Sequence, residues 1–163
     1  MAQMTKAGLF ILWALKQVGK VYVLGAEAKL TPANFSNLDA FRDQSAWDCS
    51  ECTQAGLWAA GVEQVTDSNG RAIPISAFDG AGFQWERSRS IPLADAVRLP
   101  GALLFVRSAA AYPRKPHHVG HVAIVIAKDT ILEARGKRWG VTIGPVRPSF
   151  NLASKVQELY TPA

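Results

Sequence analysis

Two residues of this chain have the types and the setting that thiol chemistry needs. Cys49 follows Asp48 at the start of a helix-forming segment, and His121 begins an apolar run over residues 122–126. A thiol attacks as its thiolate, and a helix N-terminus or a nearby imidazolium stabilises that anion. The pair therefore predicts nucleophilic catalysis in which Cys49 attacks and His121 transfers the proton.

The segment that contains Cys49 is predicted to be a helix with a defined start. Asp48 and Glu51 have the spacing of a capping box, with Asp48 as N-cap, which places Cys49 at the first helical position. Small residues recur on one face and Gly61 is a suitable terminator, so the helix can lie close to a sheet. The negative charges of Asp48 and Glu51 disfavour a thiolate at Cys49 and so counteract the effect of the helix dipole. A base is therefore still required.

Two further interpretations of the cysteines are a packing role and a redox role. A free cysteine is commonly a small buried apolar residue, and Cys52, one turn after Cys49, fits that description. The spacing of the two is also that of a redox motif, which needs a βαβ unit around it, whereas residues 31–47 are loop-like. The redox alternative predicts that the two thiols oxidise to a disulfide.

Three clustered histidines raise the question of a metal. His117, His118 and His121 lie close together, and such clusters can bind zinc. No further Cys, His or carboxylate pattern with metal spacing accompanies them. We therefore expect no metal and no other cofactor, and we place His117 and His118 in a loop at the rim of the site.

Length and composition limit the class of protein. With 163 residues the chain is long enough for a substantial core, and we predict one domain over residues 1–163. The formal net charge of +5 suits an anionic partner such as a bacterial cell wall or nucleic acid, and does not choose between them. No basic block or basic aromatic stripe indicates nucleic acid, and no apolar run is long enough for a membrane span. The sequence does not indicate an oligomeric state.

The N-terminal apolar run admits two interpretations. Residues 7–15 follow Lys6 and could form a short signal peptide with a cleavage site at residues 26–28. We favour an amphipathic helix capped at Thr5, with Gln17 on its exposed face, because only one positive charge precedes the run. On that interpretation the protein carries no export signal of its own.

The remaining segments predict an α+β fold. Residues 26–47 form a long polar connection, and residues 62–92, rich in Gly, Pro, Ser and Asp, are expected to fold over the core or wall a cleft. Short β-branched runs between tight turns predict an antiparallel meander with its strands at residues 102–107, 121–127, 130–134 and 141–144. The strand that starts at His121 is apolar on both faces and should be central.

Four stretches in this order resemble the NlpC-type bacterial cell-wall cysteine peptidases. They are residues 19–25, Asp48-Cys49-Ser50, residues 99–105 and residues 121–126. The resemblance covers nearly the whole chain. It implies a compact papain-like fold in which N-terminal helices pack on a C-terminal antiparallel sheet.

The resemblance also implies a third catalytic residue. In the family a polar residue, often histidine, asparagine or glutamine, lies on the strand after the histidine strand, and the matching position here is Glu133. A carboxylate that accepts the second ring N–H of His121 would fix its tautomer. The alternative is an ordinary strand glutamate that faces solvent.

Other positions acquire substrate roles only through the resemblance. Tyr22 would help the Cys49 backbone N–H to hold the oxyanion, or would be a half-buried core tyrosine. Asp48 and Ser50 would bind the amino end of a stem peptide, although both could equally be capping residues. The basic turn at residues 135–139 would meet an acidic peptide, or would be a solvated hairpin tip.

The implied activity is peptidoglycan hydrolysis through an acyl-enzyme, most often at the D-glutamyl to diamino-acid bond of the stem peptide. The favoured setting is a phage lysin released by a holin from the host cytoplasm, or a virion-associated wall hydrolase. Two alternatives remain open: a thiol acyltransferase or non-peptidoglycan amidase on the same fold, and a catalytically inactive virion structural or wall-binding module.

Overall fold

The computed structural model describes residues 3–23 and 46–161, and most of the predicted polar connection and the considered cleavage site lie outside them. The helices are α1 (Lys6–Leu15), α2 (Cys49–Ala59), α3 (Ala81–Glu86) and α4 (Leu93–Ala96). Within the described ranges, no helix combines the length and the apolar character needed to cross a membrane.

The strands of the described residues form three sheets. They are β1 (Val21–Tyr22), β2 (Ala46–Trp47), β3 (Gln64–Thr66), β4 (Ala72–Pro74), β5 (Arg89–Ser90), β6 (Leu103–Arg107), β7 (Val119–Ala127), β8 (Thr130–Ala134), β9 (Val141–Pro145) and β10 (Leu152–Lys155). The largest sheet is antiparallel throughout, in the order β5-β10-β6-β7-β8-β9. The predicted α+β class, the meander and the central position of the histidine strand are confirmed.

The large sheet is buried on both faces. Leu103 and Phe105 of β6 belong to an apolar cluster that includes α1 and α2 residues, whereas Leu104, between them, belongs to a second cluster on the opposite face. This alternation follows from the two-residue period of a strand. Helices α1, α2 and α3 therefore cover one face of the sheet, and the other is covered by α4 and by the segment around Phe150.

Helix α1 begins as predicted, but the segment that follows it is buried differently from the prediction. The Thr5 Oγ1 accepts a hydrogen bond from the backbone N–H of Gly8 at 3.1 Å, which confirms the cap. The prediction that Gln17 is exposed is wrong: Gln17 is 3% exposed and its Nε2 donates to the Trp13 carbonyl at 3.1 Å. Gln17 is buried because the next segment folds back on the sheet, where the Gly19 backbone N–H donates to the Val141 carbonyl of β9.

Strand β7 contains a bulge next to His121. Val106 of β6 pairs with His121, but the next β6 residue, Arg107, pairs with Val119, so Gly120 is an additional residue on β7. A Cβ on Gly120 would overlap the ring of Tyr112. Such a bulge re-aims the side chains that follow it, and it explains why the apolar pattern of the strand starts at His121 although β7 begins two residues earlier.

Gly140, beside β9, provides a test of this packing. It has φ +62, and an added Cβ would overlap the Lys20 carbonyl oxygen. We expect Gly140→Ala to lower the free energy of unfolding by about 2 kcal/mol or more, because left-handed strain and overpacking each cost on the order of 1–3 kcal/mol. Urea unfolding measures the change. Gly144→Ala is the control, since its Cβ meets nothing within 4 Å. Equal losses in the two variants would contradict the packing described.

Candidate active site

Cys49 is the first residue of α2, as predicted. The Asp48 Oδ1 accepts a hydrogen bond from the Glu51 backbone N–H at 2.9 Å, which confirms Asp48 as the N-cap. The helix ends at Ala59, and Gly61 follows with φ +83. Backbone N–H groups in the first turn have no partner within the helix, and the helix dipole is positive there. Cys49 therefore lies where an anion is stabilised.

A buried glutamine holds the first turn of α2 in place. Gln84 of α3 is fully buried, and its Nε2 donates to the Ser50 carbonyl at 2.9 Å and to the Phe78 carbonyl at 3.0 Å. The helix that carries the nucleophile is thus fastened to α3. Sequence reasoning missed Gln84, because a glutamine in a segment rich in Gly, Pro and Ser carries no signal of burial.

His121 and Glu133 meet on adjacent strands. Val125 of β7 pairs with Ile131 of β8, and continuing this register makes Glu133 a diagonal neighbour of His121 on the same face. The His121 Nε2 lies 2.6 Å from the Glu133 Oε2, and Glu133 is 3% exposed. The alternative of a solvent-facing glutamate is therefore wrong.

Cys49 lies beside His121 in the cleft lining, and Cys49, His121 and Glu133 together are called the row. Interaction with Cys49 is one of the causes that raise the pKa of His121. Because Glu133 occupies Nε2, Nδ1 is the ring nitrogen that is left for the thiol. The structure thus brings together the three residues that the sequence predicted as a catalytic set.

A fourth member of the row was not predicted. Arg147, in the loop after β9, donates from Nη2 to the Glu133 Oε2 at 2.8 Å and from Nη1 to the Oε1. Its guanidinium lies 5.1 Å from the ring centroid of Phe150, and the His121 ring centroid is 5.8 Å from the same ring. Arg147 follows Glu133 by 14 residues in a Pro-flanked loop, and no periodicity connects the two.

The charges of the row reinforce one another. Burial raises the pKa of Glu133, but hydrogen bonds from Arg147 and His121 outweigh it and lower that pKa to about 2. Burial lowers the pKa of His121, but its interactions with Cys49 and Glu133 raise it to about 9. At neutral pH the site therefore holds an imidazolium beside the Glu133 carboxylate.

The second cysteine has a different environment. Cys52 is buried, and burial raises its pKa to about 12, with the negative charge of Cys49 adding to the effect. Cys52 therefore stays a protonated core thiol at neutral pH, in agreement with the predicted packing role. Both cysteines are free thiols. The redox alternative stays a prediction for thiol labelling before and after reduction.

The row opens into a cleft of about 890 Å³. Residues from 77 to 87, including Phe83 and Arg87, form one wall, so the prediction that residues 62–92 wall a cleft is confirmed. Tyr112 and Lys115 from the loop before β7 also line it, as do Arg135 and Trp139 from the β8–β9 turn. The cleft is thus bounded by three separate segments around Cys49 and His121.

The predicted substrate residues all line this cleft. Burial, together with the negative charges of Cys49 and Asp48, raises the pKa of Tyr22 to about 12, so its phenol stays protonated and able to donate. The Ser50 Oγ donates to the Asp48 Oδ1 at 3.3 Å, in addition to the N-cap bond. Capping contacts therefore occupy Asp48 and Ser50, and their substrate roles stay proposals.

His117 and His118 lie between Pro116 and Val119, both of which line the cleft. The His117 Nε2 is 3.6 Å from a Glu86 carboxylate oxygen, and the His118 Nδ1 is 3.1 Å from the Tyr112 carbonyl oxygen. Within the described ranges, no group of three His, Cys, Asp or Glu side chains is arranged to hold a metal ion.

Comparison with known proteins identifies the fold. No family model matches the chain, and no curated protein sequence matches it. Solved structures do. NlpC1 from Trichomonas vaginalis has a TM-score of 0.64 at 14% identity, over 96% of this chain and 46% of that one. The peptidoglycan hydrolase RipB from Mycobacterium tuberculosis has a TM-score of 0.60 at 22% identity, over 93% of this chain and 64% of that one.

The NlpC/p60 domain of the peptidoglycan hydrolase SagA is also similar, with a TM-score of 0.58 at 21% identity, over 91% of this chain and 97% of that domain. This chain thus spans about half to two thirds of the NlpC1 and RipB chains and nearly all of the SagA domain. The similarities show that the chain has the NlpC/P60 fold, which confirms the predicted fold and the resemblance on which it rested.

The protonation of His121 gives a direct test of the row. Glu133→Gln removes a negative charge and leaves the Arg147 cation nearby, so we expect the pKa of His121 to fall from about 9 by about 1–3 units. NMR titration of the imidazole nitrogens measures the change. Signals of His118 are the internal reference, because it contacts Tyr112 and not Glu133. An unchanged His121 titration would show that Glu133 does not stabilise the imidazolium.

Proposed function

We propose that the protein is a peptidoglycan hydrolase that cleaves an amide bond of the wall stem peptide through an acyl-enzyme on Cys49. One observation carries the proposal: Cys49 lies in the lining of the cleft together with His121, and His121 is hydrogen-bonded to the buried Glu133. Fold does not fix substrate. The row therefore supports the reaction type, and the solved neighbours RipB and SagA, both named as peptidoglycan hydrolases, support the substrate class.

The geometry suggests how the reaction proceeds. The Cys49 thiolate attacks the amide carbonyl carbon, and the His121 Nδ1 donates its proton to the leaving amine, which departs to give a thioester. The neutral imidazole then takes a proton from water, whose oxygen attacks the thioester and releases the acid and the thiolate. The Cys49 backbone N–H and the Tyr22 hydroxyl supply donors for the oxyanion. Glu133 accepts the Nε2–H of His121 and fixes its tautomer.

The charge of the cleft supports an acidic substrate. Its lining contains the cations Arg87, Lys115, Arg135 and Arg147 and the carboxylates of Asp48 and Asp79. The Arg135 guanidinium stacks 4.2 Å from the centroid of the Trp139 ring at the cleft edge. A stem peptide with free carboxylates fits this lining, and we propose its D-glutamyl to diamino-acid bond as the one cleaved.

The proposed setting is a phage-type lysin or a virion-associated hydrolase that acts at the bacterial cell wall. The formal net charge of +5 favours association with an anionic wall.

Digestion of purified peptidoglycan tests the function. We expect the wild type to release fragments with new stem-peptide ends, identified by mass spectrometry, and Cys49→Ala and His121→Ala to lower the rate by about 1,000-fold or more. Cys52→Ala is the control, because Cys52 is a buried thiol that does not line the cleft.

The outcomes separate the alternatives. Equal release by Cys49→Ala would rule out the thiol mechanism. No release by the wild type from walls of several chemistries would contradict the hydrolase, and would favour the acyltransferase or the inactive virion module.

The preference for acidic stems is tested at Arg135. We expect Arg135→Gln to raise KM about 10-fold for stem peptides with free α-carboxylates, since a hydrogen bond to a charged group contributes about 1.5–3 kcal/mol. Peptides with amidated carboxylates should be unaffected. Lys137→Gln is the matched control, because Lys137 lies in the same turn and does not line the cleft. Equal losses on both kinds of peptide would contradict carboxylate recognition.

A further inference from the structure

The carboxylate at the orienting position needs a counter-ion. The Glu133 side chain is 2% exposed, and transferring an ion from water into a protein costs several kcal/mol. A buried glutamate here is therefore stable as an anion only with positive partners. Within the described ranges, Glu133 hydrogen-bonds to two positively charged side chains, His121 and Arg147.

The contact with Arg147 fixes the carboxylate in two ways. Both terminal nitrogens of the guanidinium donate, one to each oxygen of Glu133, which is the bidentate geometry specific to arginine. A bidentate pair sets the rotation of the carboxylate as well as its position. The oxygen shared between Arg147 and His121 is Oε2, at 2.8 Å from Nη2 and 2.6 Å from Nε2.

Phe150 adds a packing surface common to both cations. It is 2% exposed, and its ring contacts the guanidinium of Arg147 and the imidazole of His121 at centroid distances of 5.1 and 5.8 Å. The two side chains that hydrogen-bond Glu133 are thus also held by one buried ring.

We infer that Arg147 is a positioning residue of the reaction: it hydrogen-bonds both oxygens of Glu133 and thereby keeps one of them in hydrogen-bond contact with the Nε2 of His121. It makes and breaks no bond in the mechanism above. Its effect on catalysis rests on the proposed function, whereas its effect on the Cys49–His121 pair does not. Glu133 and Arg147 then act as one unit, in which the charge of each is tolerated because of the other.

If Glu133 and Arg147 act as one unit, removing Arg147 should have opposite effects in the wild type and in the Glu133→Gln variant. The titratable groups that face it are Cys49 from α2, His121 from β7 and Arg147 from the loop after β9. Removing Arg147 alone leaves Glu133 less stable as an anion, so it takes up a proton at mildly acidic pH and releases His121. Removing the charge of Glu133 alone leaves a cation beside the imidazolium. Removing both leaves neither an unstabilised carboxylate nor an uncompensated cation beside His121. Loss of Arg147 should therefore lower the rates of the wild type and leave unchanged or raise those of the Glu133→Gln variant.

Four proteins test this inference: the wild type, Arg147→Met, Glu133→Gln and the double variant. Two pH profiles are measured for each, kcat/KM on a stem peptide and the rate of Cys49 alkylation by iodoacetamide, with peptide mapping to separate Cys49 from Cys52. We expect Arg147→Met to move the acid limb of both profiles to higher pH by about one unit or more, a loss of about 10-fold at a fixed pH on that limb. In the Glu133→Gln background the same substitution should leave the rates unchanged or raise them.

Two further variants keep the test decisive. Arg147→Lys retains the charge without the bidentate fork and should shift the profiles less, and it replaces Arg147→Met if that variant does not fold. Arg71→Met is the matched control: Arg71 pairs with the buried Asp67 at 3.0 Å, outside the cleft, so its loss should leave both profiles in place.

The readouts distinguish failure of the inference from failure of the proposed function. Profiles of a folded Arg147→Met protein that match the wild type, or equal effects in the two backgrounds, would overturn the positioning role. A sign reversal in the alkylation profiles without any cleavage of stem peptides would support the positioning role and contradict the hydrolase.

Discussion

The buried carboxylate of Glu133 is the constraint on which the rest of the site depends. An anion in the interior is tolerated only when its hydrogen bonds and its charge are matched, and here Arg147 and His121 provide both. The positive side chains of His121 and Arg147 lie on either side of the Glu133 carboxylate, so charge alternates along the three groups and each stabilises the charged form of its neighbour. This alternation accounts for an imidazolium at neutral pH although burial alone would favour the neutral ring.

Regular elements hold this row, and each has a local cause. The N-cap at Asp48 sets where α2 begins and therefore where Cys49 lies, while Gln84 fastens the first turn to α3. The bulge at Gly120 re-aims the start of β7, and the register of β7 with β8 makes His121 and Glu133 diagonal neighbours. A site built on helices and strands keeps its geometry better than one built on loops. Arg147 is the exception, and Phe150 supports it.

The parts of the site that follow from local patterns could be predicted from the sequence. A capping residue and small helical positions identify the helix of Cys49, and β-branched runs between turns identify the meander that carries His121 and Glu133. Arg147 could not be predicted, because its partner is set by how the loop after β9 folds back and not by any spacing. Gln17 fails for the same reason: its burial depends on a segment that pairs with a distant strand.

Trapping the acyl-enzyme is the most direct test of the proposed chemistry. A stem peptide is mixed with the protein, the reaction is quenched in acid within the first turnover, and the intact mass and the peptide map are recorded. We expect an added mass equal to the acyl part of the substrate, carried by Cys49 and removed by hydroxylamine. Cleavage without any adduct on Cys49, or an adduct on Cys52 instead, would contradict the thiol mechanism and the assignment of the row.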